Sequence, residues 1–289
     1  MPNAPGGADD TLEELLLPVL DALNTSDLAV PLLPHVAGQM LLLLNDPNAD
    51  ASKLEKLLKQ DQALASQVMR IANSPAYLPR TPIESLHQAI AWVGLNLLAS
   101  TVLSVTTQSG VFNTKGYETE VKGLWRHSLA VGLYGKAIAG SLGLSTENAF
   151  LCGLLHGIGK PFVIHTVNDF RNEAETLLPW SVMLTVLKES YIEVGTTLAA
   201  AWQLPDAVQE VILLHQDHAY HLGTSPMKGA PITCLAIHLA DVLYDPSIME
   251  EDALRALPVV QSFQMSENDM TTLLEMQDTI RASVETMLC

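Results

Sequence analysis

Closely spaced helix starts and stops are the feature that most constrains the fold of this chain. Apolar residues recur at helical spacing, as at Leu54, Leu57 and Leu58, and the apolar segments are bounded by capping residues, Gly, Asn or Pro. No run with the alternating period of a β-strand stands out. The pattern predicts an all-α fold, organised as a multi-helix bundle.

Individual helix boundaries follow from the same signals. Asp61 is expected to cap a helix that stops at Asn73-Ser74-Pro75, and Thr81-Pro82-Ile83-Glu84 predicts the start of the next one, which reaches Gly94. The segment from Pro179 to Gln203 is predicted to be helical in two pieces, divided around Val194-Gly195. The remaining predicted helices lie at 11–23, 36–44, 52–58, 95–107, 119–142, 146–156, 205–215, 231–244 and 266–287.

The charge balance limits the classes of partner. The chain has 15 Lys and Arg against 32 Asp and Glu, a formal net charge of −17. A surface this acidic does not suit the phosphates of nucleic acid or an anionic membrane. We therefore expect protein partners, or a small ligand held in a local pocket.

Neither a secretion signal nor a disulfide framework is evident. Residues 1–10 lack the order of basic and apolar residues found in a signal peptide. The three cysteines, Cys152, Cys234 and Cys289, are widely separated and odd in number, which indicates a reducing compartment and a cytoplasmic protein. The most membrane-like stretch, 89–105, contains Gly94 and polar residues, and it predicts buried helices rather than a membrane span.

Several polar residues on apolar helical segments are candidates for chemistry. His127, His156, His215 and Asp241 each lie on or beside an apolar helical face, where a polar group needs a partner. Taken singly, each is more typical of a hydrogen-bonded core residue than of a ligand. Lys160, which follows Gly157-Ile158-Gly159, can meet an anion at a helix terminus or can simply be exposed.

Other chemical readings of the same region are weaker. His215, His218 and His221 can be read as a metal cluster, but such a stretch is more typical of a solvated helix end. Cys152 lies in an apolar helix and indicates packing rather than a nucleophile. Ser128 and His127 are not a hydrolase pair, because adjacent helix positions do not face each other.

The order of several short motifs resembles a known superfamily. The segments 124–128 (LWRHS), 153–160 (GLLHGIGK) and 238–241 (HLAD) resemble the HD phosphohydrolases, in which a His, a His-Asp pair and a distant Asp ligate a catalytic metal. The further motifs 31–34 (PLLP), 61–65 (DQALA), 72–75 (ANSP), 88–94 (QAIAWVG) and 202–205 (WQLP) are similar to the HD-related output domain, or HDOD, subgroup. The resemblance covers roughly residues 25–245.

The resemblance implies four segments. We expect an N-terminal segment with a first helix (1–24), an N-terminal helical subdomain (25–115), a degenerate HD-like bundle (116–245) and a C-terminal helical extension (246–289). A linker is predicted at 108–117, where the sequence is QSGVFNTKGY.

Two departures from the superfamily pattern bear on function. The His-Asp pair corresponds to His156-Gly157, and glycine has no side-chain ligand atom. A further His found in many relatives before Glu-Val-Gly corresponds to Tyr191. We therefore expect no catalytic residues and no cofactor; if a single divalent metal is bound, the resemblance implies His127, His156 and Asp241 as its ligands.

The functional expectation is a bacterial-type signal-transduction output or scaffold module that acts without catalysis, by contact with signalling proteins. One alternative is a metal-dependent phosphohydrolase that acts on a nucleotide or phosphate ester, although the Gly-Tyr-Pro signature of the cyclic-dinucleotide branch is missing after His215. The other is a sensor that binds a small anionic ligand without turnover. Its remnant pocket would consist of His127, His156, Lys160, His215 and Asp241.

Overall fold

The computed structural model describes residues 28–33, 35–46, 48, 50–75, 77, 79–95, 98, 111–170, 177–216 and 229–288. Over these ranges the chain forms α-helices and turns with no strand, which confirms the all-α prediction. Several predictions lie outside the described residues: the helix at 11–23, nearly all of the helix at 95–107, the first part of the linker, and His218, His221 and Cys289.

The described residues contain fourteen helices. Four lie in the N-terminal part: α1 (His35–Asn45), α2 (Ala51–Leu58), α3 (Gln62–Ala72) and α4 (Leu86–Val93). Six follow: α5 (Glu118–Ser141), α6 (Thr146–Leu155), α7 (Gly159–Phe170), α8 (Trp180–Ala201), α9 (Asp206–Leu214) and α10 (Gly229–Tyr244). The last four are α11 (Glu251–Arg255), α12 (Pro258–Ser262), α13 (Glu267–Glu275) and α14 (Gln277–Leu288). Helices α7, α11 and α12 were not among those predicted.

The predicted start of α4 at Thr81 is wrong. The helix begins at Leu86, and Ser85 is its N-cap, accepting a hydrogen bond from the backbone of Gln88 at 3.1 Å. Asn73, at the end of α3, explains the delay. Its side chain accepts from the backbone N–H of Ile83 at 2.8 Å and donates to the Ile83 carbonyl at 3.0 Å. Because both polar groups of Ile83 are bonded to Asn73, that residue is not available to a helix.

The predicted division of the helix at Val194-Gly195 is also wrong, since α8 runs without interruption from Trp180 to Ala201. Gly195 allows a close crossing with α7 instead of breaking the helix. A side-chain carbon on Gly159 would lie 2.8 Å from the Gly195 α-carbon and would collide with the carbonyl oxygen of Tyr191. The two helices touch through their backbones at this point.

A second glycine crossing joins α5 to α6. A side-chain carbon on Gly153 would lie 2.8 Å from the α-carbon of Gly132 and 2.8 Å from the carbonyl oxygen of Val131. The long α5 helix therefore packs directly against α6, and it ends as predicted, with Gly143 at a φ of +67° after the C-cap Leu142.

Two apolar cores share α5 and α6. The first joins the N-terminal helices to α10 and to the C-terminal helices, and the second lies among α6 to α9. Trp125 belongs to the second core and Leu129 to the first, so His127 lies on α5 where the two cores meet. The boundary between the cores is where polar side chains gather.

The C-terminal helices pack on their own chain. The single helix predicted at 266–287 is instead two, because the chain turns at Met276 between α13 and α14. Val284 of α14 is fully buried in the first core. Polar contacts hold the helix at three places: Gln67 Nε2 donates to the Met287 carbonyl at 3.2 Å, Arg126 pairs with Glu285 at 3.0 Å, and Arg281 donates to the Leu243 carbonyl at 3.0 Å.

One described segment, Thr146–Phe170, is long and apolar enough to cross a membrane by length and composition, and it is not the stretch suggested by the sequence. Within its most apolar window, 83% is buried inside the fold. Core helices of folded bundles have these properties too.

Candidate functional site

Five residues, each in a helix or directly after one, come together at the boundary of the two cores. His127 lies in α5, His156 directly after α6, Lys160 at the start of α7, His215 directly after α9, and Asp241 in α10. The rings of His127 and His156 have centroids 5.9 Å apart, and those of His156 and His215 are 5.3 Å apart. The structure therefore brings together all five residues singled out in the sequence.

His127 and Asp241 form a direct pair. The Nε2 atom of His127 lies 2.9 Å from the Oδ1 atom of Asp241, a hydrogen-bond distance. The side chains are 22% and 35% exposed, so this pair forms the accessible side of the cluster. One potential ligand atom of each residue is occupied by the other.

His156 is the central member of the cluster, next to the rings of both His127 and His215, and is 2% exposed. Its Nδ1 lies 2.7 Å from the carbonyl oxygen of Gly153, so Nδ1–H donates and the ring is the Nδ1-protonated tautomer. Burial lowers the pKa of His156 well below its ordinary value, and the nearby His215, Lys160 and His127 lower it further. The imidazole is neutral at physiological pH, and its Nε2 carries a lone pair.

His215 is equally buried, and both of its ring nitrogens are engaged. Its Nδ1–H points to the carbonyls of Val211 at 2.9 Å and Ile212 at 3.1 Å. Nε2 is therefore the acceptor, and the hydroxyl of Tyr191 donates to it at 2.8 Å. Burial lowers the pKa of His215 and raises that of Tyr191, which keeps both groups neutral.

Lys160 adds a positive charge to the same cluster. Its Nζ lies 5.0 Å from the centroid of the Tyr191 ring, a cation–π distance. Burial lowers the pKa of Lys160, and the charge of Asp241 acts in the opposite direction. Asp241 is thus the carboxylate that is hydrogen-bonded to His127 and that interacts electrostatically with Lys160.

Gly157 occupies the position of the missing carboxylate. A side-chain carbon there would have the Ser128 hydroxyl oxygen at 3.7 Å and two carbons of the Lys160 side chain at 3.8 and 3.9 Å. These are ordinary contact distances, so a side-chain carbon fits at this position. The absence of a side chain at this position is not imposed by packing.

The donor set does not fit the metal implied by the superfamily resemblance. The described part of the chain has no group of three or more His, Cys, Asp or Glu side chains arranged to hold an ion. His127 and Asp241 point at each other, His215 Nε2 accepts from Tyr191, and the Lys160 ammonium repels a cation. A divalent ion needs several open oxygen or nitrogen donors, and its site favours an added carboxylate.

Tyr191 is the member of the cluster that was not predicted as a site residue. In the sequence it is noticed only as a replacement for a His. This replacement was the signal in the sequence that could have identified Tyr191. A side chain at a position where many relatives have a His is expected to face the same cluster. The hydrogen bond from His156 to the Gly153 carbonyl could not be predicted from the sequence, because every residue has a backbone carbonyl.

Comparison with known proteins agrees with this fold. The HDOD domain family matches residues 30–218. A protein from Treponema pallidum, described as uncharacterized, is 24% identical over 213 residues, which are 70% of this chain and 40% of that protein. The chain thus spans less than half of the length of that relative.

Solved structures share the architecture over nearly the whole chain. A proposed metal-dependent phosphohydrolase from Shewanella amazonensis has a TM-score of 0.73 at 22% identity, covering 95% of this chain and 99% of that one. An HDOD domain protein of unknown function from Geobacter sulfurreducens has a TM-score of 0.64 at 24% identity, covering 96% and 99%. At these identities the likeness establishes the fold alone.

Proposed function

The chain belongs to the HDOD family, and from this premise we propose that it is a non-catalytic signalling module that acts by contact with other proteins. The observation that carries the proposal is that two pairs of side chains in the HD-like cluster are hydrogen-bonded to each other. His127 is bonded to Asp241 and His215 to Tyr191, and a lysine ammonium contributes the positive charge. A hydrolytic metal centre needs those same atoms as ligands.

The acidic surface supports protein partners. With a net charge of −17, the chain repels nucleic acid phosphates and anionic lipids, while it attracts proteins with basic faces. In this proposal the HD-like cluster stabilises the junction of the two cores and has no reaction to perform.

The decisive experiment combines elemental analysis with a gain-of-ligand variant. Wild-type protein prepared without added metal is expected to contain less than stoichiometric Mn, Fe or Zn and to hydrolyse no phosphate ester when Mn²⁺ or Mg²⁺ is added. Gly157→Asp supplies the missing carboxylate at a position where a side-chain carbon makes only ordinary contacts, and Gly157→Asn adds similar bulk without the charge. We expect divalent-ion affinity to rise at least tenfold in the Asp variant relative to the Asn variant.

Stoichiometric metal in the wild type that disappears in His156→Ala, together with turnover, would overturn the non-catalytic proposal. The contact role is tested separately. A partner captured by crosslinking in cells is purified, and the complex is reconstituted from the two pure proteins. The proposal expects the complex to form in the presence of EDTA, and failure of every captured partner to reconstitute would contradict it.

One observation favours a second candidate, a sensor for a small anion. Lys160 lies in the cluster without an ion pair to any described carboxylate. Such a sensor would show a thermal shift with a nucleotide or phosphate ester that Lys160→Met removes. If a broad panel of nucleotides gives no shift, this candidate is excluded.

A further inference from the structure

A separate cavity lies between α5 and the junction of α13 and α14. Its volume is about 180 Å³. Leu133, the nearest of its lining residues on α5, lies six residues beyond His127, or about 9 Å along the helix axis. One wall comes from Met276, which lies between α13 and α14, and from α14 itself, and both lie beyond the residues matched by the HDOD family. The cavity is therefore distinct from the HD-like cluster and depends on the C-terminal helices.

The cavity is apolar with one cationic side chain. Its lining consists of four apolar residues, one lysine, two threonines and one serine: Leu133, Ala137, Met276, Ile280, Lys136, Thr146, Thr279 and Ser283. The hydroxyl of Ser283 already donates to the Thr279 carbonyl at 2.6 Å. Lys136 is thus the charged group that a ligand would meet.

Lys136 has no carboxylate within ion-pair distance among the described residues. Its Nζ lies 4.0 Å from the centroid of the Tyr77 ring, and burial lowers its pKa. The charge of Glu147 acts in the opposite direction on the pKa of Lys136 without an ion pair between the two side chains. A partly buried ammonium that packs on an aromatic ring and has no ion pair among the described residues attracts an anion.

The size of the cavity indicates the size of the ligand. An engineered apolar cavity of about 150 Å³ in another protein binds benzene. A space of about 180 Å³ accordingly suits an aromatic ring or an acyl chain of about eight carbons. We propose that this cavity binds a small amphiphilic anion, with its apolar tail between α5 and α14 and its carboxylate or similar group on Lys136.

Such a ligand would join α14 to α5 and so stabilise the docking of the C-terminal helices. This inference does not rest on the signalling role or on the absence of catalysis. It is tested by binding of an amphiphilic anion to the full chain, and the result does not depend on the metal analysis of the HD-like cluster.

Isothermal titration of the full chain tests the proposal with three probes of equal tail length: octanoate, octan-1-ol and octylammonium. We expect saturable binding of octanoate at least tenfold tighter than that of octylammonium, with octanol between them. Lys136→Met keeps an apolar stem and should weaken octanoate binding about tenfold. Lys122→Met, at an exposed position of the same helix, should leave it unchanged.

Filling the space provides the second arm of the test. Ala137→Phe projects a ring into the cavity and should abolish binding of both octanoate and octanol, whereas Ala282→Phe on the exposed face of α14 should not. Far-UV circular dichroism and the unfolding midpoint show whether each variant is folded. The proposal is overturned if the wild type shows no saturable binding, if octylammonium binds as tightly as octanoate, or if a folded Ala137→Phe variant retains full affinity.

Discussion

The hydroxyl of Tyr191 keeps a buried histidine satisfied, and Tyr191→Phe removes that hydroxyl while leaving the ring. His215 Nδ1 donates to backbone carbonyls, so Nε2 depends on the Tyr191 hydroxyl at 2.8 Å for its hydrogen bond. His215 is 2% exposed and Tyr191 4% exposed, so water does not readily replace the donor. Gln216, which also interacts with the hydroxyl, is exposed and can bond to water.

The expected cost follows from leaving one buried acceptor without a donor. Such a loss destabilises a protein by about 1–3 kcal/mol. Phe fills the same space apart from the oxygen, so the cavity contribution is small. In a chain of this size each kcal/mol corresponds to a decrease of about 2–4 °C in Tm.

Urea unfolding followed by circular dichroism at pH 7.5 measures this change, and an unchanged m-value shows that the comparison is sound. Tyr244→Phe is the matched control. Its hydroxyl donates to the Arg126 carbonyl at 3.4 Å and the side chain is 37% exposed, so the effect should stay within about 0.5 kcal/mol. Equal effects of the two substitutions would refute the assigned role of Tyr191, as would ¹⁵N shifts that show His215 protonated at Nε2 rather than Nδ1.

Three further predictions concern pH and packing. The pKa values of His156 and His215 are lowered in the folded state, so the unfolded chain takes up more protons as the pH falls. Their contribution to the free energy of unfolding should be fully present above about pH 7 and be lost progressively as the pH falls below about 6.5, whereas a flat profile in urea titrations would contradict this. Gly159→Ala, which places a carbon against a backbone carbonyl of α8, should cost about 3 kcal/mol or more, while Gly38→Ala, with nothing within 4 Å, should stabilise by up to about 1 kcal/mol in the same assay. Val284→Asp should cost about 4 kcal/mol and make α14 sensitive to limited proteolysis, and undiminished resistance would show that the helix docks without it.

Local signals predicted the helices well where the capping residue had no competing partner. Asp61 caps its helix as the sequence indicated, accepting from the backbone of Ala63 at 2.9 Å and of Leu64 at 3.1 Å. Ser145 caps α6, which begins at Thr146, by accepting from the backbone of Asn148. The start at Thr81 failed because Asn73, ten residues from Ile83, determines the local conformation. Such a tertiary contact cannot be recognised from the few residues around a helix start.

Glycines were the least predictable residues. Gly195 and Gly159 look like helix breakers in the sequence, yet they lie where α7 and α8 cross closely. The same residue type marks a helix end at Gly143, where φ is positive. Conformational freedom and lack of bulk are two different properties of glycine, and only the three-dimensional fold shows which one is used.

Apart from Tyr191, the residues of the cluster were predictable from the sequence, whereas the hydrogen bonds between them were not. Motif order placed His127, His156, Lys160, His215 and Asp241 together, and the structure brings them together. The hydrogen-bond pairing depends on ring orientation and on backbone carbonyls, which no sequence pattern encodes. The Tyr at position 191, where many relatives have a His, therefore supplies a hydrogen bond to His215 in addition to removing an imidazole.

The contacts of α14 connect the C-terminal part of the chain to the two helices that carry His127 and Asp241. Glu285 holds Arg126, which is the residue before His127, and Arg281 holds the carbonyl of Leu243, two residues after Asp241. Displacement of this last helix would therefore break contacts to both helices whose side chains form the accessible pair.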